Sequence, residues 1–209
     1  MGRFGLARVF PCNPRAVELD RVGGVEDSMF HSNTERLIEY WRARKVDRLS
    51  PPRAAIDPGD FTDLLPQVFI LGRTAPAQYL FRLVGGLVAD LHQRDLRRAD
   101  FLSVWGKSDQ PRLAAALEAG RRAGEPVVVM AEAQTDQGLT YRIEVLFAPL
   151  RADNLPPDRC LGLYQPIAPV SQLRGQRVEA LGIVRFNTAD HRESFPPLRL
   201  AAVDGRLIA

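Results

Sequence analysis

The chain predicts an α+β fold: an antiparallel sheet with its helices gathered on one face. Three observations carry this. Two strand-like segments, Val68 to Leu71 and Tyr79 to Val84, flank a turn at Thr74-Ala75-Pro76, and a short helical run follows. Further on, two long strands meet at Asp136-Gln137-Gly138, where glycine supplies a positive φ. A last core strand runs from Arg159 to Gln165. Strands, then helices, then hairpin-linked strands place the helices to one side rather than between parallel strands.

The elements follow in order. Residues 1–31 have no hydrophobic period, carry Pro11, Pro14, Gly23 and Gly24, and are expected to be poorly ordered, with Met29 read as the natural start. Ser32-Asn33-Thr34-Glu35 reads as a capping box, and Leu37, Ile38 and Trp41 follow at helical spacing to about Lys45. That narrow apolar stripe has two readings: a clasp on the chain's own sheet, and a homodimer face made of Leu37, Ile38 and Trp41. Ser50-Pro51-Pro52 stops the helix. Asp57 as cap and Pro58 at the first position start a short one, with Phe61, Leu64 and Leu65 inward.

In the segment from Tyr79, alternation puts Tyr79, Phe81 and Leu83 on one face. Gly85-Gly86 turns the chain into a helical run with Leu87, Val88 and Leu91 on its apolar side. Asp109 or Ser108 caps a helix from about Gln110 to Ala123, which Gly124 ends. After the strand Val127 to Thr135, residues Leu139, Tyr141, Ile143, Val145 and Phe147 alternate with Thr140, Arg142 and Glu144. Leu161 and Leu163 are the inward residues of the last core strand. In the C-terminal extension, 169–209, Leu198 to Val203 reads as a late strand, expected to cover a sheet edge or the outer face.

Composition bounds the function classes. The 209 residues are 45% hydrophobic and 25% charged, ordinary for a globular protein with a full core. The net charge of +3 comes from arginine, since lysine occurs only at Lys45 and Lys107, and acids are interspersed throughout. No block of like charge marks a nucleic-acid tail. Cys12 and Cys160 make neither a zinc spacing nor a CxxC motif. Without a long apolar run or a secretory h-region, the expected location is the cytoplasm.

Several local phrases then converge. Leu37-Ile38-Glu39-Tyr40-Trp41, Arg53-Ala54-Ala55-Ile56-Asp57-Pro58, Leu64-Leu65-Pro66-Gln67-Val68-Phe69-Ile70-Leu71, Tyr79-Leu80-Phe81-Arg82-Leu83-Val84-Gly85, and Arg94-Asp95-Leu96 with Asp100-Phe101 resemble the PAS-like proteins of alphaproteobacteria. The resemblance covers residues 32–168. It implies a PAS-like five-stranded antiparallel sheet, strand order 2-1-5-4-3, with helices on one face, an N-terminal helix and a C-terminal extension. It also implies a sensory or regulatory role in signal transduction. The chain departs from the family at Gln93 and near Arg98, where glycine is usual.

A PAS-type cavity would lie between the sheet and the short helices. Phe81, Leu83, Leu91, Trp105, Tyr141 and Ile143 are the candidates to line it, against the plainer reading that they fill a dry core. His92 stands where haem-binding PAS domains place a ligand, but a lone histidine is more often a surface or helix-capping residue. No cofactor is predicted, and haem and flavin are both disfavoured. No metal site is predicted either. His31 and His191 have no partner in sequence, and Cys160 reads as a small buried hydrophobe. Arg94, Arg97, Arg98, Arg112, Arg121 and Arg122 read as a solvated charged face rather than a phosphate-binding patch. No nucleophile elbow, P-loop or metalloprotease helix is present. The expected role is therefore a non-catalytic module that binds a protein partner, with a small-molecule ligand and a homodimer as further expectations. The alternatives are a small-molecule-binding protein or enzyme using the same cavity, and a weak nucleic-acid binder.

Overall fold

The computed structural model describes residues 30–46, 49–152, 156–167, 169–173, 175–188, 202–203 and 206–207. The expectations for residues 1–29, including Met29 as the start, lie outside the described residues, as does the 198–201 part of the late strand. The helices are α1 (Ser32–Arg42), α2 (Gly86–His92) and α3 (Gln110–Ala123). The strands are β1 (Val68–Ala75), β2 (Gln78–Val84), β3 (Val127–Thr135), β4 (Thr140–Leu150), β5 (Arg159–Pro166) and β6 (Val178–Thr188). A small pair, β7 (Ala202–Val203) and β8 (Arg206–Leu207), stands apart from the main sheet. Among the described residues no helix is long and apolar enough to cross a membrane.

The main sheet is antiparallel with order β2-β1-β5-β4-β3-β6. Its first five strands follow the expected order, and β6 corrects the number to six. The sequence hides β6 because two bulges break its alternation. Gln134 and Thr135 pair with Ala180 and Val178, skipping Glu179, and Met130 and Ala131 pair with Arg185 and Ile183, skipping Val184.

Both sheet edges are covered by the connection between α2 and α3. On β2, the Phe81 amide donates to Ala99 O and Phe81 O accepts from the Arg98 amide. On β6, Leu181 O accepts from the Gly106 amide, and the Ile183 amide donates to the Asp109 carboxylate at 2.9 Å. Asp109 is the residue before α3, but its side chain serves the sheet edge and leaves the helix end uncapped. Two edges served by residues 98–109 mean that the sheet curls around this connection.

Each face of the sheet has its own core. The inner one joins Phe69, Phe81, Val129, Ile143, Phe147 and Tyr164 to side chains of α2, the 3-10 turn Phe101–Val104 and α3. The outer one joins Leu37, Ile38 and Trp41 of α1 to Val68, Val128, Leu146, Ala148, Leu161 and Leu163. Leu161 and Leu163 thus lie under α1, while Cys160 and Tyr164 take the inner face. The dimer-face expectation is corrected here. Leu37, Ile38 and Trp41 are buried within the chain, and Trp41 Nε1–H donates to Pro149 O at 2.8 Å.

The cap of α1 also differs from the expected one. His31, not Ser32, is the N-cap, and its Nδ1 accepts from the Asn33 amide at 3.2 Å. The sheet holds this helix start from below. Glu144 of β4 accepts from the His31 amide at 3.0 Å, and Gln165 of β5 accepts from Asn33 Nδ2 at 2.9 Å. A carboxylate at a helix N-terminus favours that docking.

Candidate functional site

The space between the inner sheet face and α2 to α3 is the candidate site, and aromatic rings organise it. Phe101 sits in the middle. Its ring centroid lies 5.6 Å from Phe69, 5.4 Å from Phe81, 5.3 Å from Phe147 and 5.9 Å from Trp105. The Phe69 ring also lies against Gly162 of β5, where a Cβ would come within 2.1 Å of it. Glycine at 162 is what lets the ring reach the sheet.

Sequence reasoning placed six residues here, and the structure separates one of them. Phe81, Leu91, Trp105 and Ile143 are buried in the inner cluster. Tyr141 is half-buried at its border, its hydroxyl donating to Gln172 O at 3.2 Å. Leu83 is corrected: it is 49% exposed and points away. The pairing of β1 with β2 jumps from Ile70–Leu83 to Leu71–Phe81, leaving Arg82 as a bulge. One extra residue turns the rest of β2 over, so Val84 takes the inner face instead.

Two polar features stand in this apolar setting. The first is His92, which is 2% exposed and not a surface residue. Its Nδ1 lies 3.2 Å from Val178 O and its Nε2 3.3 Å from the Tyr164 hydroxyl. A carbonyl only accepts, so Nδ1 carries the proton and Tyr164 donates to Nε2. Burial pushes the imidazole down to about 4, with the Arg94 charge adding to this and the Val178 carbonyl opposing it. Burial likewise pushes the Tyr164 hydroxyl far up. Histidine and tyrosine are therefore a neutral, mutually satisfied pair at neutral pH. The second feature is Trp105 Nε1–H, which is buried and has no acceptor among the described residues.

At the other end of the layer a carboxylate gathers three side chains. Glu118 of α3 accepts from Arg73 Nε at 2.7 Å, from the Tyr79 hydroxyl at 2.8 Å and from Arg121 at 3.0 Å. Burial pushes this carboxyl up, but the hydrogen bonds outweigh it and bring it down to about 2. Glu118 ties α3 to the β1–β2 hairpin. Beside it a cavity of about 20 Å³, room for about one water molecule, is lined by Tyr79, Arg121, Arg159 and Cys160. Burial pushes the Cys160 thiol up, which leaves it protonated and unreactive. The sequence offered no pointer to Glu118 or to the His92–Tyr164 pair, because neither spacing is local.

A family model described as a PAS domain matches residues 29–165. A comparison with the curated proteins finds no match. Solved structures similar to the chain include light-oxygen-voltage domains. The dark structure of the blue-light photoreceptor Aureochrome1 LOV has 13% identity and a TM-score of 0.42 over 53% of this chain and 81% of that one. A structure described by a flavin analogue and the light-oxygen-voltage domain mechanism has 15% identity and a TM-score of 0.41, covering 54% and 85%. The Rhodobacter sphaeroides LOV protein has 10% identity and a TM-score of 0.42, covering 56% and 72%.

These likenesses correct the expectation that disfavoured flavin. A flavin between the sheet and α2 to α3 would need the rings of Phe101 and its neighbours to move aside.

Proposed function

The chain belongs to the PAS domain family, whose members are sensory and regulatory modules, and we propose that it acts by binding a protein partner, without chemistry of its own. One observation carries this reading. The ionisable groups of the candidate site are hydrogen-bonded to partners and titrate far below neutral pH: His92 is held neutral with Tyr164, and Glu118 is held ionised by three donors. A general acid or base needs a pKa near the working pH and a free bonding position, and these groups have neither. Their role is to fix α2 and α3 on the sheet, which leaves the surface to carry recognition. The test is affinity capture with the full chain from its native lysate, followed by reconstitution with the purified partner. A stoichiometric complex is expected. Turnover of a metabolite by the purified chain, with no partner recovered, would overturn the reading.

A second reading is favoured by Trp105 Nε1–H, a buried donor with no acceptor among the described residues. A small molecule with a carbonyl or carboxylate oxygen could satisfy it, with Phe81, Leu91, Tyr141 and Ile143 as the surrounding wall. Native mass spectrometry and an absorbance spectrum of the purified protein test this, flavin and haem included. A protein mass equal to that of the bare chain, with no visible absorbance, removes it.

A further inference from the structure

Strand β6 lies beyond residues 29–165, the part matched by the PAS family model, yet it ties the inner layer together. Its Val178 O faces Nδ1 of His92 at the end of α2. Its Leu181 O accepts from the Gly106 amide in the connection before α3, at 2.9 Å. Its Ile183 amide donates to the Asp109 carboxylate at the start of α3, at 2.9 Å. One strand therefore holds the end of α2, the connection and the start of α3.

The same strand is the least anchored of the main sheet's C-terminal half. Every residue of β5 after Arg159 is buried. In β6, Val178 and Leu181 are the buried ones among the described side chains, and Val184 is 47% exposed. Two bulges interrupt its pairing with β3. A segment with little buried apolar area opens locally before the core does. With β6 gone, β3 would present a row of unpaired N–H and C=O groups, a template for another strand.

We propose that β6 is a displaceable strand, and that an extended segment of the partner protein takes its place on β3, with apolar side chains where Val178 and Leu181 now meet the inner core. The inference rests on the partner-binding reading above and names the edge that carries it. Departure of β6 frees His92, Gly106 and Asp109 together, so the state of the inner layer and access to β3 form one equilibrium. An extended segment fits because β3 pairs along its full length, from Val127 to Thr135, and alternate side chains on that strand reach the inner core.

The probe is a fluorescein-labelled peptide of residues 177–188, with a scrambled control, read by fluorescence anisotropy against the full chain. The chain's own β6 competes with it, so the wild type should bind it weakly. Asp109→Ala removes one tie, and should tighten peptide binding and speed hydrogen exchange of β6 about tenfold each, with β4 and β5 unchanged. A disulfide joining the paired positions Gln134 and Ala180, made as Q134C/A180C with Cys12→Ser, should abolish binding, and reduction should restore it. Peptide binding by the oxidised variant, no response to Asp109→Ala, or β6 exchange as slow as that of β4 and β5 would overturn the proposal. A doubled mass in light scattering, from β6 exchanged between copies, would assign the edge to a second copy and overturn it as well. A cognate partner held equally by the oxidised variant would remove this edge and leave the wider reading standing. Absence of any cognate partner would remove both.

Discussion

The two faces of the sheet are built by different means. The inner core is aromatic, centred on Phe101, and encloses polar groups: His92, paired with Tyr164, and Trp105 Nε1–H, which meets no acceptor among the described residues. The outer core is largely aliphatic and closed by α1, anchored through Trp41, together with Phe61 and Leu64 of the 3-10 segment Pro58–Gln67. On the outer face the buried polar groups Glu144 and Gln165 are spent on the start of α1, where they accept from the His31 amide and Asn33 Nδ2. A face containing buried imidazole and phenol needs geometry, because each unpaired polar atom costs stability. The comparison teaches that α1 is a structural clasp, held to the sheet at its start by Glu144 and further along by Trp41.

The largest expected effect tests the clasp. Trp41→Ala removes a fully buried indole and its hydrogen bond to Pro149, and should cost about 3–5 kcal/mol in urea unfolding. A loss below about 1 kcal/mol would mean that α1 only rests on the sheet. The same substitution should leave the mass in light scattering unchanged, since Trp41 faces its own sheet.

The next effect tests the inner layer. His92 has a folded pKa near 4 against an ordinary value of 6.5, so it is depressed on folding. The unfolded chain then binds the proton first as pH falls. The stability contribution is complete above pH 6.5, and about 3 kcal/mol is lost as pH drops through the window down to about 4. His92→Phe should flatten that part of the pH–stability curve. An unchanged slope would assign the loss to other groups.

Gly162→Ala sharpens the contrast between the faces. Its Cβ would meet the Phe69 ring at 2.1 Å, so an overpacking cost of about 1–3 kcal/mol is expected. Near-ultraviolet circular dichroism should report it as a change in the inner aromatic signal, with the Trp41 environment unaltered. The smallest effect is a gain. Gln93→Gly relieves a left-handed backbone at φ 46° and should stabilise by about 0.5–1 kcal/mol, read as a higher thermal midpoint. A lower midpoint would show that the Gln93 side chain contributes more than its backbone costs.

Glycine is usual in the resembling family at Gln93 and near Arg98, and these are the two places where the connection between α2 and α3 is left-handed. The departure was therefore legible as a residue type but not as a cause. Other features were legible because they are local. The alternation of Tyr141, Ile143, Val145 and Phe147 names a half-buried strand wherever it lies. Asp57 and Pro58 name a helix start, and the Asp57 carboxylate accepts from the Gly59 amide as expected. Leu83 was misplaced because a bulge leaves no mark in the order of apolar residues, and β6 was missed for the same reason.

The amino-acid order alone determined the α+β class, the sequence of elements, the antiparallel pairing of the first five strands and the PAS resemblance. All of these rest on short-range periodicity, turn chemistry and recurrent phrases that a chain carries with it. Only the tertiary structure decided that α1 lies on the outer face, that His92 lies buried against Tyr164, and that Glu118 gathers Arg73, Tyr79 and Arg121. Each of these depends on register and on partners tens of residues away. Such contacts form only when the sheet curls, and no window of sequence contains them.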